Sequence, residues 1–257
     1  MNNTILAIAF STLRGFSRDR IFHATIIFAL LFIGFTFFLA GLTIVETKKI
    51  LLDFGFSALS FAGIVMALFV GLTSIGKELE NKTIYTILSK PFSRTSYLLG
   101  KYLGCSLVII ITHIIMSITL IAIVSMVDKD LPKGLLVCFY FMTLESLIIL
   151  AIATFFSVSV SSTFLAACLT VGVFLIGRSS SSIQNIVAKS DSPSTKTLLK
   201  IFYDIFPSLN RFNIREVIAY GKPYPEEMLL WSNLYFIAYA ILFLSLSSLV
   251  FQRKDLP

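Results

Sequence analysis

The stretch that decides the fold is LLVCFYFMTLESLIILAIATFFSVSV, from Leu135 to Val160. Its 26 residues carry a single charge, that of Glu145, and are otherwise apolar all round. A helix that crosses a bilayer needs about 20 mostly apolar residues. A barrel strand would instead alternate in polarity over about 10 residues. The stretch therefore predicts a membrane-spanning α-helix.

Similar apolar stretches lie on both sides of it, and the whole composition agrees with them. The chain is 56% hydrophobic and 14% charged, whereas an average soluble domain is about 45–50% apolar. We predict an all-α membrane protein in which residues 1–257 form a single transmembrane domain. The six predicted spans are Ile21–Val45, Phe54–Ile75, Tyr102–Val127, Leu135–Val160, Thr163–Gly177 and Trp231–Phe251.

Basic residues are concentrated on one side of the predicted membrane. That set comprises Arg14, Arg18, Arg20, Lys77, Lys82, Lys90, Arg94, Lys101, Arg253 and Lys254. Because an excess of Lys and Arg marks cytoplasmic loops, we predict that both termini are cytoplasmic and that the protein is a multi-pass protein of the inner (cytoplasmic) membrane. The net charge of +7 then follows from topology, and no nucleic-acid partner is expected.

Three segments lie outside the predicted spans. Residues 1–20 have apolar side chains at helical spacing, which predicts a cytoplasmic interfacial helix; the alternative is a simple basic flank that sets topology. Residues 76–101 are predicted to be cytoplasmic. Residues 178–230 are predicted to be extracytoplasmic and partly helical, either capping a translocation path or docking an extracytoplasmic partner.

The end of the second span resembles a nucleotide-binding loop at first sight. Gly71, Gly76 and Lys77 have the spacing G-x-x-x-x-G-K, with Glu78 in place of the usual Ser or Thr. Such a loop follows a β-strand and uses free backbone N–H groups to hold phosphates. Here the backbone N–H groups belong to a predicted membrane helix and are hydrogen-bonded within that helix. We therefore reject nucleotide binding by this chain.

The residues that follow predict a short cytoplasmic helix. Apolar side chains recur at helical spacing around Tyr85 and Leu88, and the preceding acids suit a helix N-terminus. Pro91 ends this helix because the residue before a proline avoids helical geometry. Ser93 or Thr95 is then expected to cap the next helix.

The same region carries a resemblance to a known family. Glu78-x-Glu80, Thr83-x-x-x-x-Leu88-Ser89-x-Pro91-x-x-Arg94 and Leu98-Leu99-Gly100-Lys101-x-x-Gly104 resemble the cytoplasmic segment of ABC-2 type permeases, the membrane subunits of ATP-binding-cassette transporters. The likeness extends over most of the chain and includes Pro207 to Asn213 before the last span. Lys82 departs from it, since many relatives have glycine there.

The resemblance implies a transporter permease that exports an unidentified substrate and is not itself an enzyme. It implies that two copies of a separate ABC ATPase bind ATP and Mg²⁺, that this chain binds no cofactor, and that a second permease copy or a similar permease completes the path in the lipid bilayer. The implied ATPase-coupling residues are Glu78, Glu80, Lys82, Thr83, Tyr85, Leu88, Pro91 and Arg94.

Two ionisable residues inside predicted spans are candidates for the path or for a subunit interface. Glu145 must be paired, protonated or facing a cavity, because an unpaired charge at mid-span costs about 2.5–3.5 kcal/mol. Its alternative is a protonated carboxyl bonded to a neighbouring helix through Ser146, Thr112 or Thr119. His113 is the second candidate, with a packed, hydrogen-bonded histidine as the alternative.

Two rival classes remain. A membrane-embedded enzyme is disfavoured because the sequence has neither H-E-x-x-H nor G-x-S-x-G. An ion-driven carrier or channel would favour internal repeats and several buried ionisable groups. Transport in membranes that lack any ATPase would favour that second rival.

Overall fold

The computed structural model describes residues 2–41, 47–80, 93–128, 131–132, 134–180, 206–220 and 227–254. Of these residues 90% are helical, and no strand occurs among them. The all-α prediction is thus confirmed. The helices are α1 (Asn2–Phe16), α2 (Arg20–Gly41), α3 (Thr47–Glu80), α4 (Arg94–Val127), α5 (Leu135–Ser159), α6 (Thr163–Arg178), α7 (Arg215–Ala219) and α8 (Glu227–Arg253), with a 3₁₀ turn at Leu209–Phe212.

Four of these helices, α3, α4, α5 and α8, are long and apolar enough to cross a bilayer. They contain the predicted second, third, fourth and sixth spans. Shorter apolar stretches occur at Phe22–Thr36 in α2 and throughout α6. The 16 residues of α6 extend only about 24 Å, against a hydrocarbon core of about 30 Å. The first and fifth spans therefore stay predictions.

Helix α5 lies at the centre of the bundle and packs against α3, α4, α6 and α8. Every residue from Leu144 to Thr154 is buried. By contrast, α8 leaves large apolar side chains such as Leu234, Ile237 and Ile241 exposed. Such exposure is stable in a bilayer because lipid tails are as apolar as these side chains. The fold thus has a protein-packed centre and a lipid-facing edge.

Helix α1 packs along the first part of α4. The contact is close at Gly104, where an added Cβ would lie 2.7 Å from the carbonyl oxygen of Ala9 and 2.7 Å from Cβ of Thr12. Small residues allow helices to approach in this way. On its other face α1 exposes Leu6 and Phe10. The N-terminal segment therefore forms a helix with one packed and one open face, and its place in the membrane interface stays a prediction.

Helices α3 and α4 each have 34 residues, about 51 Å at 1.5 Å per residue. Both continue beyond the predicted spans on the same side, α3 past Ile75 to Glu80 and α4 from Arg94 before Tyr102. We call this the inner end of the bundle. The opposite half of the bundle, from the close of α6 to the starts of α3 and α5, is called the outer end.

Residues 206–220 fold back into the outer end. The 3₁₀ turn packs against α5 and α6, and α7 packs against α3 and α5. Ile214 and Ile218 are 1% exposed and belong to the main core. Part of the predicted extracytoplasmic segment 178–230 is therefore a packed element of the bundle. Residues 181–205 and 221–226 of that segment lie outside the described residues.

Candidate functional site

Glu78 joins α3 and α4, the two helices that contain the ends of the predicted coupling segment, residues 76–101. One carboxylate oxygen accepts from Nζ of Lys101 at 2.7 Å, and the other accepts from the hydroxyl of Tyr97. Tyr97 is itself 1% exposed. Because Glu78 lies on α3 and its two donors lie on α4, these bonds fix the helices to each other at the inner end.

Glu80 caps the start of α6. Its Oε1 accepts from the backbone N–H of Thr163 at 2.9 Å and from the Thr163 hydroxyl at 2.7 Å. Thr163 is the first residue of α6, and Ser162 before it makes no side-chain cap bond. The first N–H groups of a helix lack partners within it and attract negative charge. The cap of α6 is thus supplied by a different helix, α3.

Arg94 binds the end of α8. Its Nη1 donates to three backbone carbonyls, those of Phe251 at 3.0 Å, Gln252 at 3.2 Å and Lys254 at 2.9 Å. The last carbonyls of a helix lack partners and favour a cation. Ser93, the residue before Arg94, caps α4 by accepting from the N–H of Ser96. This agrees with one of the two caps that the sequence predicts.

A third contact of this kind lies at the end of α5. Nζ of Lys254 donates to the carbonyl of Val158 at 3.0 Å, and burial lowers the pKa of Lys254. We call Glu80 to Thr163, Arg94 to the end of α8, and Lys254 to Val158 the inner capping contacts. Together they attach both flanks of the predicted coupling segment to α6 and α8, and α8 to α5.

Three of the predicted coupling residues, Glu78, Glu80 and Arg94, are therefore placed at the inner end, where each binds another helix of its own chain. The sequence gives no sign of these partners. The other five predicted coupling residues lie outside the described residues: Lys82, Thr83, Tyr85, Leu88 and Pro91.

At the outer end, Glu145 is held by two arginines. The side chain is 1% exposed. Its Oε1 accepts from Arg178 at 2.9 Å and its Oε2 accepts from Arg215 at 3.1 Å. Arg215 also donates to Oγ of Ser60 at 2.6 Å. We call these four residues the outer cluster; it joins α3, α5, α6 and α7.

The partners of Glu145 differ from those that sequence reasoning offers. Ser146, Thr112 and Thr119 each donate to a carbonyl four residues earlier in their own helix. Of the three states expected for a mid-span acid, the structure has the paired one. Arg178 could have been considered as a partner of Glu145 from the sequence, because it is the charged residue that ends the fifth apolar stretch. Nothing local points to Arg215.

His113 is packed against two neighbouring helices and is 2% exposed. Its Nδ1 lies 3.0 Å from the carbonyl of Ile109, and its Nε2 lies 3.4 Å from Oγ of Ser146. A Cβ at Gly63 would approach the imidazole ring to 2.5 Å. Among the described residues no hydrogen bond joins His113 to Glu145. The geometry is that of a buried histidine that fits a gap left by glycine.

A polar cavity of about 460 Å³ lies beside the outer cluster. Arg178 and Arg215 line it together with side chains of α3 and of residues 213–220, namely Asp53, Ser57, Asn213 and Tyr220. The cavity therefore holds both positive and negative groups. Among the described residues no group of three or more His, Cys, Asp or Glu side chains is arranged to hold a metal ion.

Comparison with known proteins assigns the chain to a family. No curated protein matches the sequence. The family model described as ABC-2 family transporter protein matches residues 6–256, almost the whole chain. That family is the membrane component of its transporters, generally works with an ABC ATPase, and is not the ATPase itself. The chain therefore belongs to the ABC-2 family of transporter permeases, as a multi-pass membrane protein.

Proposed function

We propose that the chain is the permease subunit of an ATP-driven exporter. In this proposal a separate ATPase binds the segment 76–101, and a second permease copy or a similar permease completes the translocation path. ATP and Mg²⁺ are bound by the ATPase, with two copies per transporter. The substrate class is left open, because the apolar walls of such a path do not distinguish one cargo from another.

The inner capping contacts are the observation that carries this proposal. A force applied to the coupling segment reaches α6 through Glu80 and α8 through Arg94, since each side chain binds the end of its target helix. Helix ends carry backbone groups that lack partners within the helix, so each of these charged side chains binds a part of its target helix that is otherwise unpaired. Movement of the segment therefore moves both helices together.

The outer cluster fits the same proposal. Arg215 lies between Ser60 of α3 and Glu145 of α5, so residues 206–220 close the bundle on its outer side. Opening outward then requires α7 to move with, or away from, that carboxylate. Because Glu145 already binds two guanidinium groups, it is poorly suited to carry protons as an ion-driven carrier would need.

The test uses the permease reconstituted with its ATPase in lipid vesicles and the exposed Cys168 on α6 as a labelling site. The other two cysteines, Cys105 and Cys138, are buried. We expect ATP to change the fluorescence of the labelled α6. Glu80→Lys should abolish this change, because Glu80 is the residue that binds α6. Glu80→Lys and Arg94→Glu should each uncouple ATP hydrolysis from transport, while membrane insertion persists.

The matched control is Glu227→Lys, which reverses an exposed acidic charge in the first turn of α8. We expect it to respond to ATP as the wild type does. An unchanged ATP response in Glu80→Lys, or unchanged coupling of ATP hydrolysis to transport in both variants, would contradict the coupling role. Failure of any ATPase to co-purify with the chain would contradict the proposed function itself.

A further inference from the structure

A groove of about 810 Å³ opens between α1, α2 and α4. Its deeper wall is apolar and is formed by Phe22 and Ile26 of α2 with Ile111 and Ile115 of α4. Ile111 and Ile115 are 39% and 38% exposed, unlike the buried residues that face α5. The groove is therefore open along the surface that faces lipid.

The lining of the groove changes in polarity along its length. Helix α1 packs on α4 at Gly104, so the wall at Ile111 and Ile115 lies deeper along α4, about 10–16 Å from that contact at 1.5 Å per residue. The polar lining comes from Ser11 and Arg14 in the second half of α1 and from Ser17 just after it. Helix α1 runs beside α4 in the same direction, since Ile8 faces Gly100 and Thr12 faces Gly104. The groove thus has a polar stretch, which we call its mouth, between the apolar Ala7 and Phe10 near the inner end and the apolar wall deeper along α4.

Arg14 gives the mouth a positive charge. The side chain is exposed, and no carboxylate among the described residues forms a salt bridge with it. The nearest acid in sequence, Asp19, lines a different cavity together with Lys77 and Lys101.

We propose that this groove binds one anionic glycerophospholipid from the leaflet on the side of α1. An acyl chain lies along Ile111 and Ile115, and the phosphate is held by Arg14. A phospholipid carries both parts in one molecule, an apolar chain and a negative group at the membrane surface. The site is independent of any ATPase.

The experiment is native mass spectrometry of the purified protein after equilibration with equal amounts of phosphatidylglycerol and phosphatidylcholine. We expect one retained phosphatidylglycerol per chain. Arg14→Gln should lower the preference for phosphatidylglycerol about five-fold, the effect of one basic residue at an anionic membrane surface. Ile111→Trp fills the groove and should remove the retained lipid whatever its headgroup.

Two controls match these variants. Arg253→Gln removes an exposed charge at the inner end of α8, and Ile118→Trp enlarges a side chain that is 62% exposed on α4 outside the groove. Both should retain lipid as the wild type does. Equal retention of the two lipids by the wild type, or an equal effect of Arg253→Gln and Arg14→Gln, overturns the proposal. So does an Ile111→Trp variant that dissociates a dimer and keeps its lipid, because the groove is then a protein interface.

Discussion

Charged side chains hold the bundle together at both ends, but they bind different partners. At the inner end Glu80, Arg94 and Lys254 bind backbone N–H and carbonyl groups at the ends of other helices. At the outer end Glu145 binds the side chains of Arg178 and Arg215. Glu80 is exposed, whereas Glu145 is 1% exposed.

The difference bears on what each end can do during a transport cycle. When an exposed charge leaves a helix end, water replaces it, so the contact can break and form again at low cost. When a buried carboxylate loses its arginines, it is left uncompensated, which is strongly unfavourable. We therefore expect the outer cluster to move as a unit and Glu80 to exchange its partner at a lower cost than Glu145.

The strongest test of this contrast is Glu145→Gln. It keeps the shape of the side chain and leaves two guanidinium groups without their shared charge. Breaking a buried ion pair from one side costs about 3–5 kcal/mol, and we expect a loss of that size in the free energy of unfolding in detergent.

The matched control is Asp128→Asn. Its pair with Lys48 has the same kind of geometry, at 2.7 Å, but the two side chains are 32% and 38% exposed. Surface pairs contribute about 0–1 kcal/mol, so this variant should be close to the wild type. Equal losses of unfolding free energy in the two variants would contradict the claim that the outer cluster is more stabilising than a surface ion pair.

The next effect is that of Arg215→Gln, which we expect to cost about 2 kcal/mol, in the range for a hydrogen bond to a charged group. Hydrogen exchange of residues 206–220 should become faster, because Arg215 attaches α7 to both α3 and α5. Arg178→Gln should cost less, since Arg178 is 28% exposed and Arg215 is 13% exposed. The reverse order would show that α6, rather than α7, depends on the cluster.

Arg94→Gln should have a smaller effect on stability, about 1 kcal/mol, the usual upper size of a cation's interaction with a helix C-terminus. We expect faster hydrogen exchange in the last turn of α8 with the rest of the bundle unchanged. Arg253→Gln at the same end of α8 serves as its control and should leave the exchange unaltered. Faster exchange throughout the bundle would mean that Arg94 is a general anchor instead of a cap.

The smallest expected effect is that of Glu80→Gln. The amide oxygen can still accept from the N–H and hydroxyl of Thr163, so only the charge at the start of α6 is lost. We expect this loss to give the smallest change in the free energy of unfolding of the series, because water screens the exposed carboxylate. A much larger loss would place Glu80 with the outer residues and not with the inner ones.

Features that depend on neighbouring residues were predictable from the sequence. The apolar stretch around Glu145 predicts α5, and the Ser93 cap and the helix before the first span are also local patterns. The partners of the charged residues were not predictable, because they lie far apart in the chain. Arg215 is 70 residues from Glu145, and Thr163 is 83 residues from Glu80.

The fifth predicted span forms a helix, α6, which ends at Arg178, next to the predicted last residue Gly177. The side chain of Arg178 turns inward to Glu145, a partner that hydropathy alone does not indicate. A hydropathy scale places Arg178 at the edge of a membrane segment. In the structure its side chain instead pairs with the buried Glu145. No single-residue scale distinguishes these two uses of an arginine.

Because α3 and α4 are long, a small tilt of either helix displaces its inner end by a larger distance. The inner end of α3 at Glu80 is about 22 Å from the middle of its predicted span at 1.5 Å per residue, so a tilt of about 10° displaces that end by roughly 4 Å. A small angular change within the bilayer thus corresponds to a displacement comparable to a hydrogen-bond length at the helix ends that Glu80 and Arg94 hold. The inner ends of α3 and α4 can therefore move by several ångströms without a large rearrangement of the buried centre.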